Sequence, residues 1–87
     1  MNIRVKLYAR LDRYLPEGTA QGATGNEADL EVAEGTTPAA VFKQLKMAKE
    51  VCHLVLVNGV FVAPGDRDTH ALADGDHLAV WPPVAGG

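Results

Sequence analysis

The stretch Leu72-Ala73-Asp74-Gly75-Asp76-His77-Leu78-Ala79-Val80-Trp81-Pro82-Pro83-Val84-Ala85-Gly86-Gly87 holds two signals side by side. The Asp74-Gly75 pair predicts a tight turn, and the apolar run His77 to Trp81 predicts a strand leaving it. Pro82-Pro83 ends that strand, because neither residue has an N–H to donate to a ladder. We therefore divide the chain into a domain over residues 1–81 and a tail over residues 82–87. Extended at about 3.3 Å per residue, the tail reaches on the order of 20 Å beyond the strand. Its two prolines stiffen the root, and its terminal glycines remove every side chain near the last carboxylate. A chain end without Cβ atoms can thread a narrow channel in another protein. A disordered terminus is the alternative.

Working outward, Asn2 to Ala9 alternates: Ile3, Val5, Leu7 and Ala9 point one way, and Asn2, Arg4, Lys6 and Tyr8 the other. That is a half-buried strand. Leu11, Tyr14 and Leu15 predict a short helical turn stopped by Pro16. Residues 16–29 contain three glycines, two threonines and no large apolar side chain, so they read as a long loop with little core value. A short strand is expected over Leu30 to Ala33. Thr37-Pro38 starts a helix, with threonine as N-cap and proline at the first helical position. Val41, Phe42, Leu45 and Ala48 form its apolar stripe, while Lys43, Lys46 and Lys49 cover a solvated or partner-facing surface. His53 to Val57 is a further strand, turned at Asn58-Gly59 into Val60-Phe61-Val62, and Pro64-Gly65-Asp66 is another turn. One amphipathic helix over a mixed sheet of about five strands gives an α+β domain in two layers.

Eighty-seven residues with 47% hydrophobic and 22% charged side chains suit one small globular domain. Such a chain is too small to surround a substrate comfortably, so a non-catalytic role is expected. A net charge of −3 removes the usual electrostatic basis for nucleic-acid binding. No apolar run approaches the roughly 20 residues of a membrane span, and the alternating start is unlike a signal peptide. A cytoplasmic protein without membrane or nucleic-acid partners is expected. Cys52 is the single cysteine, which excludes an intrachain disulfide and a multi-cysteine metal site.

Leu72-Ala73-Asp74-Gly75-Asp76, the Gly35-Thr36-Thr37-Pro38 helix start, Val57-Asn58-Gly59 and the ending Pro82 to Gly87 together resemble the MoaD/ThiS family of ubiquitin-like sulfur carriers. The double proline is similar to the molybdopterin-synthase small-subunit branch more than to the thiamine branch, and the roomy loop 16–29 departs from the family pattern. The resemblance implies a β-grasp fold with one main helix and no permanently bound cofactor. It implies that an adenylating, MoeB/ThiF-like activating enzyme uses ATP to adenylate the Gly87 carboxylate. A sulfur donor protein then leaves a thiocarboxylate there, and Gly86 provides clearance. A MoaE-like large subunit of molybdopterin synthase is the implied acceptor of the tail, including Pro82, Pro83, Val84 and Ala85. Another sulfur-transfer pathway, a protein modifier conjugated through Gly87, and a plain interaction module are the alternatives.

Strand alternation adds an independent expectation. If Ile3, Val5, Leu7, Val60, Val62, Leu78 and Val80 face the helix, then Tyr8, Phe61 and Trp81 fall on the uncovered sheet face. Three of the five aromatics on one open face suggest a docking surface for partners. Other candidates are weaker. Cys52 reads as a buried structural thiol. Asp66, Asp68 and His70 form a common loop pattern, and no metal site is expected from them. His53 and His77 have no nucleophile at a useful spacing and read as edge packing. Glu27, Asp29, Glu31 and Glu34 read as a solvated acidic run or a complement to a basic partner.

Overall fold

The computed structural model describes residues 1–83; Val84, Ala85, Gly86 and Gly87, and with them the roles expected of the tail's end, lie outside the described residues. Strand β1 (Asn2–Leu7) is followed by a short 3-10 helix (Leu11–Tyr14), β2 (Glu27–Glu31) and helix α1 (Pro38–Gln44). Then come β3 (Leu54–Val57), β4 (Val60–Phe61) and β5 (His77–Trp81). The sheet order is β2-β1-β5-β3-β4, with β1 and β5 parallel at the centre and the other pairs antiparallel. This is the β-grasp arrangement expected from the sequence: a five-stranded mixed sheet holding one main helix.

Ile3, Val5 and Leu7 of β1, Val55 and Val57 of β3, and Leu78 and Val80 of β5 are all buried under α1. Each such side chain taken from water contributes about 1.5–3 kcal/mol. The helix begins as its sequence predicts: the Thr37 hydroxyl accepts from Ala40 N at 3.2 Å, and Pro38 stands in the first turn. It ends earlier than predicted. Lys46 takes a left-handed φ of 60°, the chain turns away, and Ala48 is exposed while Met47 fills the core position expected of it.

Strand β2 also differs from expectation. It starts at Glu27, inside the stretch read as loop, and Ala28 is fully buried opposite Val5. Pairing with β1, rather than local propensity, sets this boundary. The predicted Asn58-Gly59 and Asp74-Gly75 turns hold, and Pro64–Asp66, the third, forms a single turn of 3-10 helix. Asn58 and Gly59 have φ of 51° and 82°, the paired left-handed values of a type I′ hairpin. Gly75, at φ 85°, donates to the Asn2 carbonyl at 2.7 Å, and Asn2 N donates to Asp74 Oδ1 at 2.7 Å. Asn58 Nδ2 donates to Asp76 Oδ1 and His77 N donates to Asn58 Oδ1, both at 2.8 Å. The two turns are thereby clasped together at one end of the sheet. Among the described residues no helix is long and apolar enough to cross a membrane.

Candidate functional site

The sheet face away from α1 is divided. Because Val55 and Val57 are buried, Leu54 and Leu56 between them point to the open face. The register sets Leu56 beside both Phe61 and Ala79, and Leu54 beside Trp81. These residues make the β5-β3-β4 half apolar. Across β1 and β2 the same face is charged, with Lys6 beside Glu27 and Arg4 beside Asp29. Arg4 reaches Asp29 at 3.2 Å and Glu27 at 3.9 Å, and its Nη1 donates to Gln21 Oε1 at 3.1 Å. Exposed pairs of this kind contribute about 1 kcal/mol or less, so they define charge pattern more than stability.

Tyr8 and Trp81 meet where the parallel strands end. Their rings stack with centroids 4.2 Å apart and planes 2° from parallel. Tyr8 N donates to Val80 O and His53 N donates to Trp81 O, each at 3.0 Å. The end of β5 is thus held from both sides, at Val80 and at Trp81, leaving Pro82 half-buried and Pro83 exposed. Phe61 stands 55% exposed on the same face, at the edge strand. The structure therefore brings Tyr8, Trp81 and Pro82 together and places Phe61 across the apolar half from them. The expectation that Val60 faces inward is corrected. Val60 pairs with buried Val57 and lies on the helix side of the pleat, yet it is 67% exposed. The seven-residue helix does not reach over the two-residue edge strand.

Among the described residues, Cys52 is not placed for covalent chemistry. Cys52 is buried, and its Sγ donates to the Ala48 carbonyl at 3.6 Å. Burial pushes its thiol up to about 11 even though the nearby Arg67 guanidinium pulls it down, so it stays protonated at neutral pH. Arg67 is the feature that sequence reading missed. It is buried, donating to the carbonyls of Cys52, His53 (2.8 Å) and Val62 (3.4 Å). Burial lowers its pKa from the usual guanidinium range. An arginine in a loop gives no periodic signal, so only the fold reveals it. His53 and His77 have exposed side chains and act through their backbone N–H groups rather than by edge packing. Among the described residues no three His, Cys, Asp or Glu side chains gather into a group that could hold a metal ion.

The sequence model of the ThiS family matches residues 18–87. No match is found among curated proteins. Among solved structures, the chain is similar to the Haloferax volcanii HVO 2177 protein at 25% identity and a TM-score of 0.74, over 100% of this chain and 87% of that one. It is similar to SAMP1 from Haloferax volcanii at 23% identity and a TM-score of 0.66, over 100% of both chains. It is similar to a chain in the complex of subunits 1 and 2 of the molybdopterin-converting factor from Helicobacter pylori, at 19% identity, a TM-score of 0.58 and 100% coverage of both.

Proposed function

The chain belongs to the ThiS family of ubiquitin-like sulfur carriers, and from that premise we propose that Gly87 carries sulfur for molybdopterin biosynthesis. The observation that supports a carrier working on partner enzymes is the apolar half of the open face, anchored at the tail root by the Tyr8–Trp81 stack. A carboxylate is a poor electrophile because either oxygen would leave as oxide. In the proposed reaction the Gly87 carboxylate oxygen attacks the α-phosphorus of ATP on a MoeB/ThiF-like activating enzyme, and pyrophosphate leaves. The outer sulfur of a persulfide on a sulfur donor protein then attacks the acyl carbon and AMP leaves, giving an acyl disulfide; a second thiol attacks the donor's inner sulfur, forms a new disulfide with it and releases the thiocarboxylate. Gly86 and Gly87 let the chain end pass where a Cβ would not. Tyr8, Phe61 and Trp81 provide the docking surface.

The molybdopterin assignment is favoured by Pro82-Pro83 ahead of Val84-Ala85-Gly86-Gly87, and the Helicobacter pylori complex illustrates the kind of large-subunit partner. Its likeness to small archaeal modifier protein 1 keeps a second reading, conjugation of Gly87 to lysines of target proteins. Intact mass spectrometry of the chain after incubation with activating enzyme, ATP and sulfur donor tests the proposal. Replacement of one oxygen by sulfur at Gly87 is the expected result. Lysine-linked adducts in place of that product favour the modifier, and a pathway needing no terminal chemistry survives deletion of Gly86 and Gly87. Gly86→Val is expected to abolish thiocarboxylation while leaving the unfolding midpoint unchanged; normal product from that variant contradicts the narrow-channel argument.

A further inference from the structure

The chain leaves β1 through a turn whose backbone suits glycine, yet no glycine is there. Ala9 and Arg10 have φ of 52° and 74°, and Leu11 N donates to the Tyr8 carbonyl at 3.1 Å, which makes Tyr8 to Leu11 a type I′ turn. A Cβ is sterically costly at both central positions. Elsewhere the same chain uses Asn58-Gly59 for that geometry. Core packing does not account for the choice, since Ala9 and Arg10 are both exposed. Internal pairing does not account for it either: among the described residues the ion pairs involve Arg4, and the Arg10 side chain forms no hydrogen bond. The turn's location is informative. Tyr8, its first residue, stacks on Trp81, the last residue before the tail. Arg10 is therefore held out at the tail root, in a chain whose net charge is −3.

We propose that Arg10 is a specificity-determining contact for activation, pairing with carboxylates on the activating enzyme's surface beside the entrance that takes the tail. This inference rests on the sulfur-carrier reading. Guanidinium suits carboxylate and phosphate alike, but the adenylate forms at Gly87, up to about 20 Å of extended chain from the strand end. A group at the root meets the partner's rim, not the nucleotide. A hollow of about 220 Å³ beside the turn, lined by Tyr8, Arg10, Asp12, Thr24 and Asn26, gives a partner side chain room to approach. Asp12 in that hollow repels a carboxylate there, so the contact falls on the outer, Arg10 side.

The test measures pyrophosphate release by the native host's purified activating enzyme with ATP, varying the concentration of the full chain. Arg10→Gly relaxes the turn and removes the cation: Tm is expected to rise by about 2–5 °C, while KM rises about tenfold with kcat unchanged. High salt narrows that gap, because an exposed pair is screened. Arg10→Glu loses more, and Arg10→Lys keeps most of the affinity. Ala9→Gly relaxes the same turn without touching charge, so it raises Tm and leaves KM alone. An unchanged KM in Arg10→Gly overturns the proposal. So does an equal KM increase in Ala9→Gly, which assigns the effect to turn rigidity, or a Tm that does not rise in either glycine variant. If the wild-type chain releases no pyrophosphate, the carrier reading itself fails and this contact with it.

Discussion

Arg67 reaches three backbone carbonyls that belong to two separate segments, Cys52-His53 ahead of β3 and Val62 after β4. Removing this buried, charged donor breaks three hydrogen bonds at once, two of them buried, so Arg67→Met is expected to destabilise the domain by about 3 kcal/mol. Urea unfolding measures this directly, and a change within experimental error would mean the carbonyls find other donors. Cys52 beside it gives a pH dependence of known sign. Its folded thiol ionises at about 11 against an ordinary value of 9.0. Below pH 9 the thiol is protonated in both states and its contribution is complete. As pH rises from 9 through 11, the unfolded chain ionises first and stability falls. The urea midpoint of wild type relative to Cys52→Ala should therefore drop over that range, and parallel curves would contradict it.

At the scale of elements, local chemistry was readable wherever it fixed the backbone by itself. The Thr37 cap, the Asn58-Gly59 hairpin, the Asp74-Gly75 turn and the alternation of β1 and β5 all rest on neighbouring residues. Thr37→Ala should cost about 1 kcal/mol by orphaning Ala40 N, with Thr37→Ser nearly neutral. Chemical denaturation of the two variants checks this, and equal losses would mean the hydroxyl is not the cap. Tyr8 and Trp81 were placed on the open face by alternation alone. What sequence did not reveal depends on distant partners. Ala28 becomes core because β2 pairs with β1, Ala48 leaves the core because Lys46 reverses the chain, and Val60 is uncovered because α1 stops short of β4. The Arg67 contacts belong to the same class, since they join segments that no periodic pattern connects.

For the whole molecule, the two faces of one sheet serve different ends: one holds the helix, and the other divides into an apolar half over β5, β3 and β4 and a charged half over β1 and β2. Phe61→Ala removes a ring that is more than half exposed, so stability should change by no more than about 0.5 kcal/mol. Affinity for the activating enzyme should fall about tenfold, as for a truncated interface aromatic. Trp81→Ala should lose affinity too, with a small stability loss from the broken stack. Calorimetric titration reads both, and intact binding in the two variants would contradict the docking face. The parallel pairing of β1 with β5 has one more consequence, during synthesis. The strand that fills the centre of the sheet is the last one made, so the β1-β2 pair and the β3-β4 hairpin have nothing between them until it emerges from the ribosome. A nascent chain cut short before His77 lacks its middle strand and remains open to proteases. Sheet closure therefore waits on the same strand that leads into the tail.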